Sequence, residues 1–158
     1  MEINVREANL SDLNSVLEML RYLGIDQLGK DDFYKGSLDF NFDENYLKNK
    51  FILNEKCGLF IVEYDGKIQG FIDVWIDMND FKLEYNNYAY IMNLYVKPES
   101  RNNKGIYSSN LYKAAENWAV SKGKKFIIAD AFVHNKKMFR IAKIFGFLKY
   151  KTLMVREI

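Results

Sequence analysis

Apolar and polar residues alternate from Glu2 to Arg6, the period-two pattern of a strand with one covered face. Leu13, Val16, Leu17 and Leu20 then recur at helical spacing behind Ser11, which is placed to cap a helix. No period holds from Gly24 to Asn54. There Asp26, Asp31, Asp32, Asp39, Asp43 and Glu44 mix with Phe33, Tyr34, Phe40, Phe42 and Tyr46, which predicts a loop and one or two short helices. Leu59 to Tyr64 and Ile68 to Ile76 are rich in β-formers and flank Asp65-Gly66, a dipeptide that favours the positive φ angles of a tight hairpin. After a polar stretch from Asp77 to Asn87, the run Tyr88 to Val96 reads as a central strand, closed at Lys97-Pro98 because proline cannot donate to a ladder. Leu111, Ala114, Ala115, Trp118 and Ala119 share one helical face, and Gly123 falls where that helix should stop. Lys125 to Val133 predicts a further strand. Asn135 can cap a short helix that buries Met138, Ile141, Ala142 and Phe145 and ends at Gly146, and Phe147 to Arg156 returns to strand character.

The predicted order is β, α, α, β, β, β, α, β, α, β, an α/β sheet layered with helices. With 158 residues and no repeat, low-complexity segment or linker, residues 1–158 are expected to form one domain around one core. Nearly half the chain is hydrophobic and only one proline is present, a composition that excludes a disordered tail. No run approaches the length of a membrane span and the first residues lack a secretory pattern, so a soluble cytoplasmic protein without membrane contact is expected. Cys57 is the sole cysteine, which rules out an intrachain disulfide and a Cys-rich metal site, and no metal is expected. Cys57 reads as a packing residue; nothing near it or His134 supports a nucleophile and base pair.

Charge changes the picture more than composition does. Met1 to Ser100 holds 18 acidic and 10 basic residues, whereas Arg101 to Ile158 holds 3 acidic and 13 basic, or −8 against +10. The second part is suited to a phosphate-bearing ligand and the first to a cationic one. Contacts between the two parts of one folded unit would also produce such a split. The basic residues are dispersed, with no Arg-rich block or RNA-binding motif, so a nucleic-acid partner is not expected.

Two segments carry more specific information. Ile91 to Tyr107, IMNLYVKPESRNNKGIY, is a strand ending in Val-x-Pro followed by a glycine turn that opens a helix. Asn135 to Phe147, NKKMFRIAKIFGF, places an Asn cap and a Gly-Phe terminus around a short helix. In that order they resemble the two cofactor segments of the GNAT (GCN5-related) N-acetyltransferase family, and the first helix and the Asp65-Gly66 hairpin stand where that family has them. The resemblance covers nearly the whole chain. It implies a mixed, mostly antiparallel sheet of six to seven strands with about four helices, acetyl-CoA as cosubstrate, an amine acceptor that the acidic part suits if it is cationic, and, as is common in the family, a homodimer.

The family pattern assigns cofactor contacts to Leu94, Tyr95 and Val96 on the strand, to Asn102, Asn103, Lys104, Gly105, Ile106, Tyr107 and Ser108 at the turn, and to Asn135 and Phe139 beside the pantetheine arm. The physical basis is plain at the turn: successive amides at a helix start point one way and hold a pyrophosphate. Gly105 alone would equally serve a tight strand-to-helix connection, and Asn135 a plain helix cap. A backbone amide near Leu94 would polarise the thioester carbonyl as an amine attacks. The chain departs from the pattern in four places. Asn102 stands at the usual Arg or Gln, with Arg101 displaced by one. Tyr107 stands at the final small residue, where it either crowds the phosphate path or bonds a phosphate. Ala142 replaces a frequent acid tyrosine, and Met92 or Asn93 a frequent carboxylate base. An alkylammonium near pKa 10 still has to lose a proton before it attacks. Asp130 is the leading candidate base, with Asp73 and Asp77 as others. Ala129-Asp130-Ala131 is weakly similar to the aminoglycoside 6′-N-acetyltransferase branch. The competing reading from another class is a silent acyl-CoA-binding or partner-binding domain of the same fold.

Overall fold

In the computed structural model the described residues are 2–31, 44–78, 87–103, 105–154 and 156. Five strands run β1 (Ile3–Glu7), β2 (Cys57–Tyr64), β3 (Lys67–Ile76), β4 (Tyr88–Val96) and β5 (Phe126–Ala129). They lie in the sheet in chain order. β1 to β4 pair antiparallel, and β5 joins β4 in parallel. A parallel neighbour needs a crossover, and the helix α3 (Ile106–Ser121) supplies it. The other helices are α1 (Leu13–Leu28), a short α2 (Glu44–Leu47) continued by a wider π-type turn at Lys48–Ile52, and α4 (Lys136–Ile144).

The two faces of the sheet have separate cores. On one, Leu13, Val16 and Met19 of α1, with Leu47 and Phe51, pack on Leu59, Ile61, Phe71, Trp75 and Tyr95. On the other, Tyr107, Leu111, Tyr112, Ala115 and Ala119 of α3 cover Val62, Ile72, Val74, Ala89, Ile91 and Val96. The stripe Leu111, Ala115, Ala119 is fully buried at helical spacing, which is why this helix was readable from its apolar positions.

Three local expectations are corrected. The cap before α1 is Asn9, whose side chain accepts from the Ser11 amide while Asp12 accepts from the Asn9 amide; a single 3₁₀ turn at Leu10–Asp12 intervenes, and the Ser11 hydroxyl only donates back to Asn9 Oδ1 at 2.6 Å. Asp12 is then drawn into the core edge by Arg6, which bonds both its oxygens at 2.7 and 3.0 Å and reaches Glu63 at 2.7 Å. The strand expected over Lys125 to Val133 is confined to Phe126–Ala129. Finally, Phe147 to Arg156 forms no strand among its described residues, so the sheet described has five strands rather than six to seven. Leu148, Leu153 and Met154 there are about nine-tenths exposed, without the burial that makes a strand-forming sequence pair. Much of the aromatic and acidic stretch before Glu44 lies outside the described residues.

Candidate functional site

The site begins where β4 and β5 part. Their parallel pairing covers Tyr88 to Ile91 against Phe126 to Ala129 and ends there, while β4 continues to Val96 paired only with β3. One edge of β4 therefore lacks a strand partner from Met92 onward among the described residues. A β-bulge falls at the same point: Asp73 faces Asn93 and Val74 faces Ile91, which leaves Met92 as the extra residue. The bulge also shifts the alternation, so that Ala89 and Ile91 before it share a core with Leu94 and Val96 after it.

Beyond the parting, a cleft of about 380 Å³ opens between the end of β4, the start of α3, the C-terminal turn of α1 and the start of α4. Leu94, Tyr95, Val96, Gly105, Ile106, Tyr107, Ser108 and Asn135 all line it, so the fold brings most of the expected cofactor residues to one place. Gly105 has φ +78°, the left-handed region that favours glycine, and it caps α3 without a side-chain bond or an acidic residue in the first turn. The helix start therefore faces the cleft with its positive end unopposed by a carboxylate of its own. Lys30, Arg101, Lys136 and Lys137 also line the cleft, against the single carboxylate of Asp26, which Lys30 bonds at 2.5 Å. The positive balance suits an anionic ligand.

Several residues behave differently from expectation. Tyr107 is 3% exposed, packs its ring edge-on against Tyr64 with centroids 6.4 Å apart, and belongs to the α3 core while forming part of the cleft wall. Arg101, one position from its usual place, turns back to donate from Nε to the Val96 carbonyl at 2.7 Å and lies over the Tyr95 ring, tying the turn to the strand. Asn102 and Asn103 are exposed on the turn, Asn103 accepting from the Ile106 amide through its backbone carbonyl, and neither lines the cleft. Lys104 lies outside the described residues. Phe139 is half-buried beneath the Lys149 ammonium and does not line the cleft. Asn135 does cap α4, accepting from the Met138 amide at 3.1 Å, so cap and cleft wall are one residue.

The sequence reasoning missed Gln27. It lines the cleft from α1, and its buried Oε1 has no hydrogen-bond partner, the sole such side-chain atom among the described residues. A buried acceptor without a donor is costly, and a ligand with an amide N–H would relieve it. No periodicity marks such a residue; only the fold shows its carbonyl turned inward.

The acidic residues separate by environment. Asp130 follows β5 and is exposed, and it accepts from the Tyr90 hydroxyl at 2.7 Å across the strand split. Burial, with that bond, raises the Tyr90 phenol well above its ordinary range. Asp77 lies just past β3 and bonds Lys124 at 2.9 Å, which lowers its pKa and commits it to an ion pair. Asp73 is fully buried on the β3 face shared with Phe71 and Trp75. Desolvation pushes it up to about 6, opposed by bonds from Trp75 Nε1 at 2.5 Å and Asn93 Nδ2 at 2.8 Å. Cys57 is buried and its thiol is raised by desolvation, in keeping with packing. No group of three or more His, Cys, Asp or Glu among the described residues is placed to hold a metal ion.

The profile of the acetyltransferase (GNAT) family matches residues 23–147, which include the parting strands, the glycine turn and α4. The chain belongs to the GNAT family. Solved structures agree on the fold. The aminoglycoside acetyltransferase AAC(6′)-Iy, in complex with the bisubstrate analogue CoA-S-monomethyl-acetylneamine, is similar at TM-score 0.76 with 17% identity, covering 99% of both chains. A Bacillus halodurans protein reaches TM-score 0.83 at 15% identity over 98% of this chain and 99% of its own. A predicted acetyltransferase from Clostridium acetobutylicum solved with acetyl-CoA gives 0.72 at 21% identity over 99% and 96%. No curated protein matches the sequence. No described helix of this GNAT domain is long and apolar enough to cross a membrane.

Proposed function

We propose that this GNAT domain moves an acetyl group from acetyl-CoA to a primary amine by direct attack in a ternary complex. The observation that carries the reading is the cleft at the strand split, where a β4 edge without a strand partner among the described residues, a helix start without a side-chain cap and a surplus of cations meet. These features fit the parts of acetyl-CoA in turn. The first amides of α3 suit the pyrophosphate, the free edge of β4 suits the extended pantetheine arm, and the unpartnered Gln27 Oε1 suits one of its amide N–H groups. Acetyl-CoA supplies an activated acyl thioester whose thiol, with pKa about 8.5, leaves without an acid, so the Ala142 position costs little.

The chain's own residues then hold the acceptor and take its proton. Asp130 and Tyr90 sit at the mouth of the split on the β5 side, and in this reading the exposed Asp130 draws the ammonium in and accepts its proton as the amine attacks. The structural likeness to aminoglycoside acetyltransferases supports an amine acceptor, with aminoglycosides, polyamines and peptide amino groups as the classes to test.

Acetyl-CoA at a hundred times its Kd should add about 2.7 kcal/mol of stability, or about 8 °C in melting temperature for a domain of this size. Thiol release is then followed over a panel of amines. Turnover that falls steeply in Asp130→Asn supports the reading. The absence of a usual base, with Met92 exposed at the bulge, favours the alternative of a silent acyl-CoA-binding domain. Tight acetyl-CoA binding without turnover on any amine would select it.

A further inference from the structure

Asp73 and Asn93 set a polar pair at the bulge, on a face of the sheet that is otherwise apolar core. A carboxylate with no exposed surface spans β3 and β4 at the bulge, where an apolar pair would pack at lower cost. Its hydrogen bonds are fixed by chemistry. Trp75 Nε1 can only donate, so it occupies Oδ2, and an ionised carboxylate can only accept, so Asn93 must present Nδ2 to Oδ1. The carboxamide of Asn93 consequently has one orientation. No group among the described residues donates to its Oδ1, and Asn93 is only partly buried, two positions beyond the last β4–β5 pair and next to cleft-lining Leu94.

We propose that Asn93 Oδ1 is the contact that receives an N–H of the acceptor amine, and that Asp73 is the positioning residue that keeps that oxygen facing outward. The inference rests on the N-acetyltransferase reading and gives it an amine subsite on β4. Two negative groups belong to this part of β4: buried Asp73, which Asn93 itself bonds, and exposed Asp130, which accepts from Tyr90 three residues before Asn93. Lys50 of the π-type turn, over the Trp75, Phe51 and Tyr46 rings, is the cation facing Asp73, and Cys57 of β2 is the nearby thiol. Acceptors carrying a charged amine are favoured over neutral nucleophiles by this pair of carboxylates.

The donor logic yields a reversal test. Asp73→Asn replaces one oxygen by NH₂; Trp75 retains the oxygen, the NH₂ faces Asn93, and Asn93 must turn its own oxygen inward and its NH₂ toward the amine. A donor then meets a donor. In the double variant Asp73→Asn with Asn93→Asp, the new carboxylate accepts from the new amide with one oxygen and again offers an acceptor outward. Kinetics are measured by thiol release with spermidine, sisomicin and a peptide amino terminus. Asp73→Asn should raise the amine KM about tenfold or more while acetyl-CoA KM stays within about twofold, and the double variant should recover most of the loss. Asn93→Ala, at the half-exposed partner, carries the same expectation should Asp73→Asn fail to fold. An unchanged amine KM in a folded Asp73→Asn, or a double variant no better than the single, overturns the subsite alone. Acetyl-CoA binding with no thiol release from any of these probes overturns the N-acetyltransferase reading and the subsite with it.

Discussion

Gly105 and Gly66 offer a matched pair of perturbations. Both have positive φ, +78° and +74°, and at both an added Cβ meets nothing within 4 Å. Alanine at either position therefore introduces no clash, and the whole cost is the left-handed backbone, about 1–2 kcal/mol. Part of that is offset because alanine also restricts the unfolded chain, by about 0.4–1 kcal/mol. The net is about 1 kcal/mol, or about 3 °C for a chain of 158 residues. The two variants should melt together and below wild type. They should differ in ligand affinity. Gly66 lies in the β2–β3 turn, remote from the cleft, whereas relief of strain at Gly105 rotates the first amides of α3. Loss of one such bond to a charged phosphate weakens acetyl-CoA about tenfold, measured by titration calorimetry, with Gly66→Ala unchanged. Equal acetyl-CoA affinity in two variants of equal melting temperature would refute the assignment of the helix start. A fall of several kcal/mol at either glycine would refute the strain argument itself.

Other outcomes follow from particular contacts. Tyr107→Phe should leave acetyl-CoA affinity unchanged, since the ring is buried in the α3 core, while Tyr107→Ala should cost about 3–5 kcal/mol in chemical denaturation. Asn135→Ala removes the cap of α4 and should destabilise by about 1 kcal/mol, seen as faster amide exchange in that helix. The folded pKa of Asp73 is raised, to about 6, so its contribution to stability is greatest below the unfolded value near 4 and is lost as pH rises through 6. That loss is on the order of 3 kcal/mol, and a denaturation series should show it vanish in Asp73→Asn. Asp12 and Glu63 act in the opposite sense: Arg6 lowers both, their stabilisation is present above pH 4 to 5, and it is lost as pH falls further. Arg6→Gln should flatten that acid limb.

The layered architecture was legible because its signals are local. Alternation marked β1, Asp65-Gly66 marked the hairpin, and the Leu111, Ala115, Ala119 stripe marked α3; each depends on neighbours in sequence. Asn9 was missed as a cap because Ser11 is an equally good residue two positions on, and only Asp12, bound by Arg6, decides between them. Phe147 to Arg156 misled because its strand propensity comes from side chains that pair only when buried, and they are exposed. At the site, the glycine turn was readable through φ and helix-start chemistry. The Asp73–Asn93–Trp75 bonds were not, since a bulge inside a continuous apolar run leaves no trace in periodicity. Gln27 was unreadable for a related reason: burial of one oxygen is a property of the assembled cleft.

α4 has no buried residue, whereas α3 has five, and the end of α4 is held through Phe145, stacked on Tyr112 at 4.2 Å, and Phe147, edge-on to the same ring at 5.7 Å. Among the described residues, this wall of the cleft is thus tied to deeply packed α3 through the Tyr112 ring. In the language of local unfolding, this wall belongs to the low-energy end of the molecule's openings, and the sheet and α3 to the high end. Whatever occupies the cleft touches both. Occupancy therefore closes the gap between those two levels, and the exchange rates of α4 amides become a direct gauge of how full the cleft is.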